Sequence, residues 1–277
     1  MIDLTVLIIT KNEEKNILKC LNSLNGIAKK IIIVDSFSQD NTKAIVEKEK
    51  QRLNIEFFEH KFVTHSKQIN WALENIKIDT AWIMRLDADE ELTFELATEI
   101  SERLPNLDNS ISGVILKRRV YFLDRWIKHG GVYPVKLLRI FRKNQAYSEI
   151  KEMDEHMIVK RGKVIEFEFD FLDRNRSSLY DWIGKHNWYS EKELNDYSKN
   201  MYDDMGRTQK NVYYKLPIFF RAHLYFIYRY YIKLGFLDGK EGKIFHYLQA
   251  YWYRFLVDAK IFEKESEEER KSENTSK

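Results

Sequence analysis

Trp82-Ile83-Met84-Arg85-Leu86-Asp87-Ala88-Asp89-Glu90-Glu91 sets a short, mostly apolar run directly before two carboxylates at alternate positions. A run of that length, closed by polar residues, predicts a buried strand ending on Asp87. Carboxylates just past such a strand supply oxygen ligands for a hard divalent cation and leave positions open for phosphate oxygens. The same pair also suits the cap of a helix begun by Glu90-Glu91-Leu92-Thr93, so by itself it leaves both readings standing.

The preceding eighty residues alternate strand and helix. Leu4-Thr5-Val6-Leu7-Ile8-Ile9-Thr10 predicts a buried strand, and Ile17, Leu18, Leu21 and Leu24 give the following helix one apolar face that ends at Asn25-Gly26. Ile31-Ile32-Ile33-Val34-Asp35 is a second strand, followed by a cap-rich turn and a helix from Asn41 to Arg52. Ile55 to Phe58 is a third strand, Ser66 to Asn75 a third helix, and Trp82 to Leu86 the fourth strand. Strands alternating with helices predict a parallel α/β sheet, in which ligands collect at the carboxyl ends of the strands. Asp35 and Asp87 both fall there.

From Gly113 to Glu168 shorter β-like pieces, Gly113-Val114-Ile115-Leu116 and Lys136 to Phe141 among them, predict a mixed or antiparallel part of the same sheet. The chain therefore divides into a sheet domain over 1–178, a helical, aromatic and basic extension over 179–262, and a charged tail over 263–277 expected to be disordered. No internal repeat is visible.

Composition narrows the function classes. The 277 residues carry a net charge of +3, too small and too evenly mixed for a nucleic-acid-binding protein. The single cysteine, Cys20, has no partner within the chain and sits in a predicted helix, which suits packing in a reducing cytosol. The N-terminus lacks the pattern of a secretion signal. Aromatic residues concentrate in the last third, and Val212 to Phe236 is interrupted by Lys215, Arg221, His223, Arg229 and Lys233, against a spanning helix. Basic and aromatic together, this segment suits either a membrane interface or the packing of a helical subdomain.

Thr10-Lys11-Asn12-Glu13-Glu14 after the first strand, Val34-Asp35-Ser36-Phe37-Ser38-Gln39-Asp40-Asn41-Thr42 after the second, and Leu86-Asp87-Ala88-Asp89-Glu90 after the fourth follow one another in an order that resembles the inverting family 2 glycosyltransferases of GT-A fold. The resemblance implies a Rossmann-like mixed sheet flanked by helices, with a helical C-terminal extension. It also implies a nucleotide-sugar donor, with UDP favoured, and Mg²⁺ or Mn²⁺. Asp35 would contact the base, while Thr10, Asn12 and Glu13 would line the nucleoside pocket. Asp87 and Asp89 would hold ribose and metal-diphosphate. Asp40 either caps its helix or contacts the ligand. Ser66-Lys67-Gln68-Ile69-Asn70-Trp71-Ala72-Leu73 is similar to the segment from which a lysine approaches the phosphates, although Lys67 also suits a solvated helix face. His65 reads as a surface or satisfied histidine.

An inverting transfer needs a carboxylate to take the proton from the acceptor hydroxyl as that oxygen attacks. Glu152-Met153-Asp154-Glu155-His156 matches the family's acidic motif in order and distance, so the resemblance offers Asp154 and Glu155 as base. The family pattern ends Glu-Asp whereas this chain reads Asp-Glu-His, and sequence does not separate the two. His156 reads as a packing or hydrogen-bonding residue, or as one that orients the base.

Trp126-Ile127-Lys128-His129-Gly130-Gly131-Val132-Tyr133-Pro134, Leu138 to Arg142, Leu234 to Gly242 and Arg254 to Lys260 resemble a narrower subgroup that extends lipopolysaccharide core or related surface glycans. That implies a glycan or lipid-linked glycan acceptor, Trp126 as a stacking surface for a sugar ring, and docking through 212–236 on the cytoplasmic face of the inner membrane. Arg139 or Arg142 would pair with a phosphate or balance nearby carboxylates. Two other classes are alternatives: a nucleotidyltransferase, whose glycine-rich loop after the first strand has no counterpart in Thr10 to Glu14, and a non-catalytic membrane or glycan-binding module.

Overall fold

The protein, seen as a computed structural model that describes residues 1–150, 155–198 and 213–275, contains two compact units. The first comprises Met1–Trp126 and Val132–Arg176, the second Ile127–Gly131 and Ser177–Lys277.

The first unit is built on β1 (Ile2–Thr10), β2 (Ala28–Asp35), β3 (Ile55–Glu59), β4 (Trp82–Asp87), β5 (Glu90–Leu92), β6 (Ile111–Phe122), β7 (Arg125–Trp126), β8 (Val135–Arg142), β9 (Ala146–Ser148), β10 (Met157–Val159) and β11 (Lys163–Asp173). Its helices are α1 (Ile17–Ser23), α2 (Thr42–Glu49), α3 (His65–Asn75) and α4 (Phe94–Arg103). The main sheet runs β3-β2-β1-β4-β8-β6-β11-β5, with β7 paired to β6. The first four strands in that order are parallel, β8 is antiparallel to both neighbours, and β11 returns parallel to β6. The expected parallel half and mixed remainder are both present.

Leu4, Val6 and Ile8 of β1 face one buried cluster while Leu7 and Ile9 face the other. A strand covered on both sides reads as a continuous apolar run, which is why no alternation marks it in the sequence. Register then aligns the strand ends: Thr10 lies beside Asp35, and Ile9 beside Asp87.

Helix α1 buries Ile17, Cys20 and Leu21, with Leu24 behind them, and exposes Leu18. Leu18 was expected on the apolar face; the i, i+3, i+4, i+7 set starting at Ile17 takes Cys20 instead. Burial pushes the Cys20 thiol well above its ordinary range. Helix α4 is capped by Thr93, whose hydroxyl accepts the Leu96 N–H at 3.1 Å. Glu90–Leu92 is a strand on β11, so the helix cap once open to Asp87 and Asp89 belongs to Thr93.

Strand β9 pairs with β10 as a separate hairpin. Asn70 of α3 clamps it, donating to Ser148 O and accepting from Ser148 N, each at 2.8 Å. The Glu149 N–H donates to His156 O at 2.8 Å, closing the segment that carries the acidic motif.

The second unit is helical. A long helix, Leu179–Ser198, carries buried Glu193, which accepts from Tyr214 and Tyr253 hydroxyls at 2.7 Å and from Arg254 at 2.6 Å. Arg221 and Asp258, both essentially inaccessible, pair at 2.8 Å, and the second Asp258 oxygen holds the N–H of Phe219, whose φ is +63°. His129 Nδ1 and backbone N–H both engage buried Asp238, at 2.7 and 2.8 Å. A Cβ on Gly130 would lie 2.0 Å from the buried His246 ring, and one on Gly235 would lie 2.5 Å from it. Desolvation, aided by Arg229, lowers His246 to about 4, so its ring stays neutral.

The aromatic segment divides. Tyr214 packs beside the buried Tyr253, Val257 and Ile261, whereas Phe220, Ile227, Tyr228, Tyr231, Ile232, Leu234, Phe236 and Leu237 are exposed. The run expected to be disordered continues the helix Tyr253–Thr275 over 263–275, and its last two residues lie outside the described residues. Its Glu, Lys and Arg residues, without Gly or Pro, extend a helix already nucleated by the buried Tyr253, Val257 and Ile261 face, and propagation is far less costly than nucleation.

Two substitutions test these anchors. Asp258→Ala strands a buried guanidinium and is expected to cost about 3–5 kcal/mol of stability, read from the urea midpoint. Asn70→Ala removes both bonds to Ser148, with an expected loss of about 1–3 kcal/mol and faster hydrogen exchange in β9 and β10.

Candidate active site

The loops after β1 and β2 are knitted into one surface. Asn12, at φ +56°, donates its N–H to Ser38 Oγ at 2.8 Å and accepts the Gln39 N–H at 2.8 Å. The Glu13 N–H donates to Thr42 Oγ1 at 2.8 Å, and a Glu13 carboxylate oxygen accepts from Asn16 at 2.7 Å. Asp35 is buried, and its two oxygens accept from the Ser38 N–H at 2.7 Å and the Ser38 hydroxyl. Asp40 accepts from Thr42 and from the Glu14 N–H. Burial works against ionisation there, but those bonds hold its carboxyl below the usual range. Asp40 thus fastens one loop to the other. Thr10 Oγ1 is buried at the strand end without a hydrogen-bond partner among the described residues.

Asp87 ends β4, and Asp89 lies in the turn before β5, both half-buried. Asp89 accepts from the Asn175 side-chain amide at 2.9 Å, and its carbonyl accepts the Arg174 N–H at 3.0 Å. Arg176 pairs with Glu91, and its N–H reaches Asn16 Oδ1 at 2.9 Å. The strand-end segment 174–176 therefore braces the carboxylate turn against the first loop.

Two buried arginines flank Asp87. Arg139 sits where the β6–β8 register slips by one residue, a bulge that re-aims its side chain, and it pairs with buried Glu90 while standing 3.5 Å from Asp87 Oδ2. Burial pushes Glu90 up to about 8, with Arg139 and the Asp87 N–H pulling against it. Arg85, on the same face of β4 as Asp87, places Nε 3.5 Å from Asp87 Oδ1 and donates from Nη2 to Glu155 Oε1 at 2.8 Å. Glu155 is thereby tied to the carboxylate turn by one side chain.

The remaining sequence candidates fall as follows. Asp154 lies outside the described residues. Lys67 is exposed on the first turn of α3, its N–H capped by Thr64. His65 meets Phe62 edge-on, and exposed His156 stands 4.0 Å from Glu149. Trp126 has the Arg119 guanidinium over its ring at 4.4 Å and Tyr133 edge-on, with Arg119 and Tyr133 both bonded to buried Asp170. Arg142 donates to the Ile111 carbonyl at 2.7 Å and covers Trp82 with its guanidinium. Sequence reasoning passed over Arg85, Asn16 and Asn175. A lone charge inside Trp82-Ile83-Met84-Arg85-Leu86 was a usable signal for the first; nothing local marks the others.

Among the described residues no three His, Cys, Asp or Glu side chains gather as a closed metal cage. Asp87 and Asp89 nevertheless fit an open site, since Mg²⁺ and its relatives are commonly held by one or two carboxylates with phosphate and water completing the shell.

The sequence profile of "Glycosyl transferase family 2" matches residues 5–167, more than half of the chain. An uncharacterized glycosyltransferase of Rickettsia bellii is 28% identical over 273 residues, covering 94% of this chain and 86% of its own. The lipopolysaccharide core biosynthesis glycosyltransferase LpsC of Rhizobium meliloti is 29% identical over 270 residues, covering 94% and 92%. Among solved structures, S. aureus TarS 1–349 in complex with UDP-GlcNAc aligns at 18% identity with a TM-score of 0.44, over 90% of this chain and 79% of that one. A mixed sheet with flanking helices, and a helical C-terminal part, are the elements expected from the motifs. With its profile match spanning the sheet and the loops that carry Asp35, Asp87 and Asp89, this chain belongs to glycosyl transferase family 2 and is a glycosyltransferase.

Proposed function

We propose that the chain moves a hexose or similar sugar from a nucleotide-diphosphate sugar, with uridine as the base, to a hydroxyl of a lipopolysaccharide or other surface-glycan precursor, with inversion. The observation that carries the proposal is the junction at Arg85, which meets both Asp87 of the half-buried carboxylate turn and Glu155. Likeness to LpsC along nearly the whole of both chains supports the acceptor class.

Thr10, Asn12, Glu13 and Asp35 border the knitted loops and receive the nucleoside; Asp35, held by Ser38, faces the base. Asp87 and Asp89 hold ribose and the metal-diphosphate. Mg²⁺ or Mn²⁺ bound there offsets the negative charge that gathers on the departing diphosphate. Lys67, exposed at the start of α3, is free to approach the phosphates. Asp154 takes the acceptor proton, because its neighbour Glu155 already has one oxygen engaged by Arg85.

The acceptor reading extends to location. Among the described residues no helix is long and apolar enough to cross a membrane. Phe220, Tyr231 and Ile232 are exposed, with relative exposures of 57%, 57% and 66%, as are Lys215 and Lys233 of the same segment, and the stretch from Tyr213 to Leu237 contains no acid. Large apolar and aromatic side chains beside cations suit the headgroup level of an anionic bilayer. We therefore place the enzyme at the cytoplasmic face of the inner membrane, docked through 212–236, of which Val212 lies outside the described residues.

Asp89→Ala is expected to abolish Mn²⁺-dependent UDP release, and Asp154→Asn to cut transfer by at least about 10³-fold while calorimetric UDP binding survives. Full transfer by Asp154→Asn would remove it as base. Co-sedimentation with phosphatidylglycerol-containing vesicles at low salt should capture the full chain, and the double variant Tyr231→Ser/Ile232→Ser should stay in the supernatant.

A further inference from the structure

In the helical unit, buried Arg221 is answered by Asp258, and Arg254 by Glu193 at 2.6 Å. Half-buried Arg229 departs from that pattern. Its Nε donates to the Gly130 carbonyl and its Nη1 to the Tyr225 hydroxyl at 2.6 Å, with the guanidinium 5.4 Å from the centre of the Tyr225 ring. Both acceptors are neutral, so they fix the group without offsetting its charge, and no carboxylate among the described residues pairs with it. Asp238, the acid that engages the same loop, has one oxygen on the His129 N–H and the other on His129 Nδ1. An arginine keeps its proton, and the ordinary answer to a partly buried charge is an ion of opposite sign.

The surroundings are shaped for one. Gly130 and Gly131 take φ of +68° and +69°, and a Cβ on exposed Gly131 would meet nothing within 4 Å but Arg229 Nε, at 3.9 Å. Open backbone therefore lies beside the guanidinium. The α-helix Phe220–Ile227 widens at this point into a π-helical turn, Tyr228–Ile232, a rare form that recurs at functional sites. Exposed Lys233 follows, its ammonium 5.6 Å over the Tyr228 ring, and Tyr228, Tyr231 and Ile232 are exposed in the turn itself.

We propose that Arg229, held in place by Gly130 and Tyr225, binds the phosphate of an anionic phospholipid headgroup, with Lys233 as a second cation. Arg229 Nη2 makes no hydrogen bond among the described residues, so the planar group still has donors to offer to phosphate oxygens. The exposed apolar side chains of the same turn identify the source of that phosphate, because a lipid presents its headgroup above acyl chains and a soluble phosphate does not. Resting on docking through 212–236, the site adds a defined headgroup contact to what would otherwise be attraction between diffuse charges.

The test is co-sedimentation of the full chain with phosphatidylglycerol-containing vesicles at low salt, with thermal melts to establish folding. Loss of one diffuse surface charge weakens such binding by roughly fivefold, the effect expected of Lys215→Gln. Arg229→Gln should exceed it, at about tenfold or more. Arg229→Lys keeps the charge and loses the planar fork, so it should still lose about fivefold, where diffuse attraction predicts no change. Tyr225→Phe, a gentler change that frees the guanidinium from its hydroxyl anchor, should lose about threefold and stands in if the Arg229 variants do not fold. Arg229→Gln no weaker than Lys215→Gln, native binding by Arg229→Lys, or native binding by Tyr225→Phe overturns the site while leaving the docking reading in place. Calorimetric binding of glycerol phosphate as tight as binding to the vesicles would assign Arg229 to a soluble phosphate and overturn the lipid. A native chain that stays in the supernatant would instead overturn the docking beneath it.

Discussion

A charge placed inside a strand that is covered on both faces has to find its counter-charge within a few ångströms, and Arg85 in β4 imposes that constraint on everything around it. The strand is anchored between β1 and β8, so the guanidinium cannot move away to solvent. It is met from one side by Asp87, two residues along the same face, and from the other by Glu155, seventy residues away in sequence. Asn70 holds the hairpin that delivers Glu155, and the hairpin in turn depends on α3 being packed against the sheet. Much of the first unit can be traced outward from this demand for neutrality.

The loops at the strand ends obey a related rule. A surface meant to receive a polar ligand must keep its own backbone from fraying, and here the two loops satisfy each other. Asn12, Glu13 and Glu14 give N–H groups to Ser38, Thr42 and Asp40, while Gln39 and Asn41 give theirs back. Pre-organised in this way, the loops lose little further freedom when a ligand arrives, so more of the contact energy remains as affinity.

Sequence made the parallel half of the sheet legible because β1, β2 and β4 are buried on both faces and so carry mostly apolar runs without alternation. The acidic ends of β2 and β4 were legible because those two runs stop abruptly on Asp35 and Asp87. Strand β5 was not: three residues, two of them acids, owe their conformation to β11, some eighty positions later. The charged run over 263–275 lies in a helix although it has no apolar periodicity of its own, since such a segment still propagates a helix that its neighbours have begun. Arg85 and Glu155 could be seen individually, but their pairing is a product of topology, and no local pattern encodes it.

The contact between Gly130, Gly235 and His246 has an evolutionary side. One buried, neutral imidazole occupies the space that two side chains would otherwise need, and the three positions are spread over more than a hundred residues of sequence. None of them can change size alone without a clash or a void, so substitutions there must arrive together or through a smaller intermediate at position 246. In relatives that diverge at the His-Gly-Gly loop, the compensating change should be found in the C-terminal helices, and the two regions are inherited as a single unit of volume.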